Sequence, residues 1–431
     1  MDDYNPIDSY PHSNNRLLVV DWASLSYHQL FALVSKQNTA RTFEMDTPEK
    51  ELYAWNTGMM LKMLKYVKLF NPKDIVFTLE GTKVWRNDIC KDYYNEHCEI
   101  YYDKTGYYLR YDNFLYYATK DDITRDISYK KLDVIKDIGR LPSEHKNLGA
   151  MPDRIQQIFW DDILPKYKGN RAKNDNWPFL VPKKKWKNYK EEYAHSAAKT
   201  FRAHVIGQNN AEGDDVIYVA VNLWKKKYDS IILITGDSDM HQLLSQDNLE
   251  IYNHRKEEMV VCPSPADVLE IKILSGDKSD NINGMALPGK KLQLGPAGAQ
   301  KLYESVGNTY QVAKDDGWDK QYIRNQTLID LSHIPTDVQR ELCDLFKASE
   351  PKIEPTPLNV TEKVFEEIST MKNLGFYAVN SLQMVEKNPD MFNPKMFGSK
   401  DKQPVAVAES RKFESADKVF VDPLADDGDI F

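Results

Sequence analysis

The sequence predicts an α/β fold: an open, mostly parallel sheet with flanking helices, joined to a smaller helical domain. Three observations predict it. Leu17–Asp21, Asp74–Glu80 and Ile231–Asp237 are short apolar runs that each end in an acid, and continuous rather than alternating apolarity marks strands buried on both faces. Helical patterns at Glu49–Phe70 and Asp215–Lys227 lie between them, which is the alternation of parallel strands joined by crossover helices. From Pro263 onward the pattern turns helical and loop-rich, with Gly276, Gly284, Gly289, Gly295 and Gly298 close together.

The remaining segments divide the chain. Residues 1–15 read as a polar arm and 16–265 as the α/β domain. A tyrosine-rich insertion at about 90–165 breaks the strand-helix rhythm. Within it, Glu99–Tyr102 and Tyr107–Arg110 flank the turn-forming Asp103-Lys104-Thr105-Gly106, a hairpin signal. Its tyrosines suit packing in a half-buried sheet better than stacking on bases. A basic segment follows at about 166–202, then a helical domain at 266–349, a proline-punctuated linker with a helical segment at 350–403, and a polar, acidic tail at 404–431.

Composition narrows the function classes. Of 431 residues, 41% are hydrophobic and 28% charged, and no apolar run approaches the roughly 20 residues a membrane-spanning helix needs. The acidic, polar start is unlike a secretory signal, so a cytoplasmic protein is expected. Cys90, Cys98, Cys262 and Cys343 lack metal-ligand spacing and are assigned no chemistry. The net charge of −8 conceals polarity: Lys166–Arg202 holds 11 Lys/Arg against 3 Asp/Glu, while the last 18 residues hold 6 acids and Lys418.

In an open parallel sheet the carboxyl ends of the strands share one edge, where ligands bind. That edge would gather Asp21, Glu80 and Asp237. Glu212, Asp214 and Asp215 open a helix, where one or two acids serve the dipole and the free amides; three in four residues exceed that need. Asp239 follows Asp237 in what reads alone as a turn or cap before a helix at Met240–Leu244, and Asp277 and Asp280 follow the apolar Ile271–Leu274. Carboxylates crowded within a few ångströms repel by several kcal/mol at intermediate dielectric, so such a set implies raised pKa values or bound cations. All-oxygen ligands favour Mg2+ or Mn2+ over zinc, and two such ions beside a phosphodiester would support its hydrolysis. A haloacid-dehalogenase-like phosphatase would need a second aspartate two residues after Asp21, where Ala23 stands.

The order of these residues resembles the 5'-nuclease (flap endonuclease) superfamily, in particular its T-even bacteriophage branch of RNase H and 5'-3' exonuclease enzymes. The resemblance is carried by Val20-Asp21-Trp22-Ala23, Trp85-Arg86-Asn87-Asp88, Tyr167 to Lys173, Glu212 to Asp215, Thr235 to Asp239, Gly276 to Asn281, Asn325 to Leu331 and Ile334-Pro335, covering about 16–345 around the insertion. It implies a PIN-like nuclease fold with a helix-three-turn-helix DNA-binding motif. It also implies a site of two Mg2+ ions, with Mn2+ an alternative, held by Asp21, Glu80, Glu212, Asp214, Asp215, Asp237, Asp239 and Asp280, with Asp277 beside them. Glu80 stands where the family usually has aspartate, and Met285–Leu294 departs from the compact family loop.

The resemblance further implies phosphate contacts at Arg86, Lys168, Arg171 and Lys173. The run Lys183-Lys184-Lys185-Trp186-Lys187 suits backbone contacts plus stacking, as it suits a solvated surface. Lys290, Lys291 and Lys301 fall in the segment expected to grip duplex DNA. The expected activity is 5'-to-3' exonuclease and flap endonuclease action by a monomer on DNA or RNA-DNA hybrids with a 5' end or flap, removing primers or flaps in replication. A PIN-type endoribonuclease and a non-catalytic junction-binding replisome adaptor are the alternatives. The tail Asp426-Asp427-Gly428-Asp429-Ile430-Phe431 resembles the tail tip of bacterial single-stranded-DNA-binding proteins; docking to such a protein or another replisome component, mimicry of DNA, and solubilisation remain open readings of it.

Overall fold

The computed structural model describes residues 15–39, 47–81, 84–112, 114–119, 130–132, 141–162, 164–169, 177–287 and 293–349. They form two compact units, whose elements are numbered here along the whole chain. The first comprises the described residues of Met1–Lys83, Asn176–Pro265 and Ile334–Phe431; the second those of Val84–Asp175 and Ala266–His333. The arm before Asn15, the linker and the acidic tail lie outside the described residues.

The first unit is a six-stranded sheet. Its strands are β1 (Arg16–Asp21), β2 (Asp74–Thr78), β8 (His204–Ile206), β9 (Ser230–Thr235), β10 (Leu249–Asn253) and β11 (Glu258–Met259), in the order β11-β10-β9-β1-β2-β8. All neighbours pair in parallel except β10 and β11. Strand β1 is central and buried at every position, which is why its sequence runs apolar without alternation. Around the sheet lie α1 (Trp22–Thr39), α2 (Pro48–Phe70), α5 (Lys183–Phe201), α6 (Gly213–Trp224) and α11 (Thr336–Ala348).

Local chemistry sets the helix ends. Helix α2 starts with Pro48 in its first turn and Thr47 Oγ accepting the Lys50 amide, and it stops at Asn71 in the left-handed region (φ 43°). Its Trp55 packs edge-on against Trp186 and Tyr193 of α5, and beside them Trp22 of α1 stacks on Phe77 of β2 at 4.5 Å. Such ring pairs add about 0.5–1.5 kcal/mol each beyond the area they bury. The buried Glu51 of α2 accepts the Val181 amide at 2.8 Å and the Leu180 amide at 3.3 Å, fixing the entry into α5. The segment expected to form a helix at Met240–Leu244 is a 3-10 turn, Ser238–Ser245.

The second unit contains the expected hairpin and more. Strands β3 (Glu99–Tyr102), β4 (Gly106–Tyr111), β5 (Phe114–Thr119), β6 (Lys130–Leu132) and β7 (His145–Asn147) form an antiparallel sheet ordered β6-β5-β4-β3-β7. Asp103 Oδ1 accepts the amides of Thr105 and Gly106 and so closes the β3–β4 turn. The tyrosines pack among themselves, as Tyr108 against Tyr117 and Tyr111 against Tyr116 do. Helices α3 (Trp85–His97) and α4 (Asp153–Asp162) lie with this sheet, and α7 (Pro265–Ser275), α8 (Pro296–Ser305), α9 (Thr309–Asp315) and α10 (Asp319–Ile329) complete the unit. Cys90 and Tyr167, from the two flanks of the insertion, share a core with Ile273, Leu274, Trp318 and Leu328. Insertion and helices are one body.

Candidate active site

Parallel register places the ends of β9, β1 and β2 side by side, so Asp21, Asp237 and Glu80 leave the sheet at one edge. Asp21 is nearly buried. Its carboxylate accepts the Ser24 amide at 2.9 Å and the Thr235 hydroxyl at 2.8 Å. Thr235 Oγ in turn accepts the Asp237 amide at 3.1 Å, and Ser24 Oγ accepts the Gly236 amide at 3.2 Å. The turns leaving β1 and β9 are therefore laced together by side chains. Burial pushes the Asp21 carboxyl up to about 6; its two hydrogen bonds oppose that rise, and the charges of Asp237 and Glu80 add to it.

Asp237 is exposed, and its Oδ1 accepts the Asp239 amide at 2.9 Å. Glu212, Asp214 and Asp215 occupy the start of α6. Part of the ordinary explanation for acids there holds, since Asp215 Oδ2 accepts the Glu212 amide at 2.9 Å. Glu80 lies against this turn: a Cβ on Gly213 would sit 3.6 Å from Glu80 Cγ. One Glu80 oxygen is 3.5 Å from Lys190 Nζ, a side chain only 3% exposed. Lys190 was not among the expected site residues. The signal was present in α5, where Trp186, Lys190, Tyr193, Ala194 and Ala197 are all buried; a lysine at a core-facing position of a helix is an anomaly that points to a partner.

A second missed group stands behind the edge. Ser24 Oγ is 2.9 Å from His254 Nε2, His254 Nδ1 is 3.2 Å from His28 Nδ1, and Lys62 Nζ is 3.0 Å from the same His28 nitrogen. Burial pushes His254 down to about 3 and His28 down to about 4, helped by Lys62 and Arg255. Both rings are thus neutral at physiological pH. Ser24 Oγ, which accepts the Gly236 amide, also shares a hydrogen bond with His254 Nε2, so the hydroxyl joins the β9 turn to the buried histidine pair.

The other expected residues sit in the second unit. Asp277 Oδ1 accepts the Ser279 amide at 2.7 Å and its hydroxyl at 2.6 Å, while Oδ2 is 2.8 Å from Lys272 Nζ. Burial pushes its carboxyl up, but the bonds from Lys272 and Ser279 outweigh that and hold it below the usual range. Asp280 accepts the Tyr167 hydroxyl at 2.9 Å and lies 3.7 Å from Lys168 Nζ. Arg86 corrects an expectation: it is 2% exposed, donates Nε to the Leu328 carbonyl at 3.0 Å and lies over the Trp85 ring, so it holds the core rather than reaching phosphate. Trp186 is fully buried and offers no ring for bases to stack on, although Lys183, Lys184 and Lys185 form an acid-free first turn of α5 beside it. Lys301 is exposed on α8. Arg171, Lys173, Lys290 and Lys291 lie outside the described residues.

The donor set fits a hard divalent cation. Asp237 and Glu80 leave the edge close enough to Asp21 for their charges to act on it, and the Asp21 carboxyl keeps its proton into the weakly acidic range unless a cation offsets them. A stability prediction follows. Since the folded pKa of Asp21 lies above the ordinary 3.8, its favourable contribution is complete below about pH 4 and is lost as pH rises through about 6. In chelator, Asp21→Asn is therefore expected to be more stable than the parent near pH 8 by on the order of 2–3 kcal/mol, and so to melt at a higher temperature, and to lose that advantage near pH 4. Thermal melts across that range check it; an Asn protein less stable than the parent at the alkaline end would count against a strained carboxyl.

The family model for the 5'-3' exonuclease N-terminal, resolvase-like domain matches residues 115–273. The chain is 28% identical over 204 residues to a 5'-3' exonuclease of Buchnera aphidicola subsp. Baizongia pistaciae, a match covering 44% of this chain and 63% of the relative. Over that stretch the chain resembles the 5'-nuclease superfamily. A DNA polymerase I of Caldicellulosiruptor bescii is 26% identical over 261 residues, covering 52% of this chain and 27% of that one. The chain thus spans less than two thirds of these relatives' lengths. Among solved structures, T5 5'-exonuclease with bound divalent zinc ions aligns at 14% identity and a TM-score of 0.45, over 78% of this chain and all of that one. The stretch matched to the superfamily's domain contains Glu212, Asp214, Asp215, Asp237 and Asp239, whereas Asp21 and Glu80 precede it. Among the described residues, no helix is long and apolar enough to cross a membrane.

Proposed function

We propose that this chain is a divalent-metal-dependent 5'-to-3' exonuclease and flap endonuclease that hydrolyses phosphodiester bonds to remove RNA primers or 5' flaps during DNA replication. The observation that carries this reading is the convergence of Asp21, Glu80 and Asp237 at one sheet edge, with Glu80 against the acidic start of α6. Mg2+ ions would be held by Asp21, Glu80, Glu212, Asp214, Asp215, Asp237 and Asp239, and Asp280, with Asp277, completes the proposed set. When bound, such ions supply an activated water and charge neutralisation at the leaving oxygen. The chain's own residues hold the carboxylates apart: Ser24 and Thr235 orient Asp21, Asp215 fixes the α6 turn, and Lys190 steadies Glu80.

Substrate phosphates would meet Lys168, Arg171, Lys173, Lys183, Lys184 and Lys185, with Lys290, Lys291 and Lys301 on duplex. The tail from Asp422 to Phe431 is proposed to dock a single-stranded-DNA-binding protein or another replisome component. The relatives named as 5'-3' exonucleases and DNA polymerases I support a nucleic-acid substrate. The test is cleavage of 5'-labelled flap, nicked and RNA-DNA hybrid substrates with and without Mg2+. Release from the 5' end or flap base only when metal is present is expected; cutting of single-stranded RNA in preference to flaps would replace this reading with an endoribonuclease.

A further inference from the structure

A carboxylate edge that acts on a polyanion must also attract it, and a cation at that edge does so only if its own acids do not consume it. We infer that Arg255 is a phosphate-binding residue at the edge of the active site, gripping the nucleic-acid strand beside Asp237. The inference rests on the nuclease reading above and adds to it a contact made by the sheet itself.

Arg255 follows β10 in a turn closed by Asn253, whose Oδ1 accepts the amides of Arg255 and Lys256 at 2.9 and 3.1 Å. Its side chain runs back across Gly236, the residue between the end of β9 and Asp237. A Cβ at that position would meet Arg255 Nε at 2.5 Å, Cδ at 2.9 Å and Cγ at 3.0 Å. The glycine is not there for a positive φ. It is there for space, and the aliphatic stem of Arg255 fills it, which lays the guanidinium along the loop carrying Asp237 and Asp239 while the residue as a whole stays exposed.

The acids that follow it in sequence are engaged elsewhere. Glu257 pairs with Lys65 at 2.8 Å and Glu258 lies 3.8 Å from Lys256, and among the described residues no ion pair engages Arg255. The groups packed behind it carry no negative charge either: His28 and His254 are neutral, and Lys62 beyond them is a cation. The result is an exposed arginine, held by its stem beside the loop that carries Asp237. A guanidinium in that setting matches a phosphate bidentately, which a lysine does not.

The experiment is equilibrium binding of a fluorescein-labelled 5'-flap DNA in chelator, followed by anisotropy over a series of salt concentrations. Arg255→Ala is expected to weaken binding roughly fivefold and to reduce the slope of log affinity against log salt by about one. Lys256→Ala, one residue on, should leave the slope unchanged. Gly236→Ala, which keeps the charge but crowds the stem, should weaken binding in the same direction. Circular dichroism of each variant controls for folding. Parental affinity and slope in Arg255→Ala would overturn the assignment, leaving Arg255 as a mere counter-charge to the carboxylates. If the parent protein itself fails to bind flap DNA, the nuclease reading falls, and this contact with it.

Discussion

The Asp237→Asn protein is expected to cleave 5'-flap or hybrid substrates roughly 10³-fold more slowly than the parent in Mg2+ while keeping its fold. Asn preserves the shape of the side chain and the acceptor for the Asp239 amide, which the parent holds at 2.9 Å, so the turn is retained and only the charge is removed. Asp237 is exposed and makes no contribution to the core. Its negative charge helps to lift the Asp21 carboxyl, so neutralising it should leave the metal-free protein as stable as before or slightly more so. Loss of rate without loss of stability distinguishes a reacting group from a structural one. Cleavage at the parental rate would sink the catalytic assignment, whatever the other carboxylates do.

The edge was legible in the sequence because parallel strands impose it. Three apolar runs, each ending in an acid, leave little freedom: once β1, β2 and β9 lie side by side, Asp21, Glu80 and Asp237 must emerge together. The hairpin around Asp103 was legible for the same kind of reason, a turn with its own chemistry. What supports the edge was not. Ser24 and His254 are 230 residues apart and meet through one hydrogen bond, and no periodicity announces such a pair. Arg86 shows the opposite error. A basic residue in a matching motif reads as a phosphate contact, but the same guanidinium can satisfy a helix-end carbonyl and lie on a tryptophan, and only packing decides. Composition told us that the insertion was different; it could not tell us that Cys90 and Tyr167 close a core with helices far along the chain.

That shared core gives the second large effect. Arg324 of α10 and Asp112, just after β4, form an ion pair at 3.2 Å whose side chains are 2% and 3% exposed. The guanidinium also lies over the Tyr93 ring at 4.7 Å and donates to Asn325 Oδ1, while Tyr93 donates to the other Asp112 oxygen. Two buried charges are tolerable only together. Their mutual attraction roughly cancels the cost of removing both from water, but deleting one strands the other, at about 3–5 kcal/mol. Asp112 also sits at φ 48°, where alanine would add backbone strain, so Asp112→Asn is the cleaner variant: asparagine tolerates that conformation and keeps one hydrogen bond. It is expected to destabilise the second unit by about 3 kcal/mol, while the double variant Asp112→Asn/Arg324→Met recovers much of the loss by leaving no charge unpaired. Hydrogen exchange localises the effect. Amides of β4, α3 and α10 should lose protection together, since one pair ties all three, whereas those of β1 and β9 in the first unit should be unaffected. A loss confined to the loop at Asp112 would mean that the pair decorates this core rather than closing it.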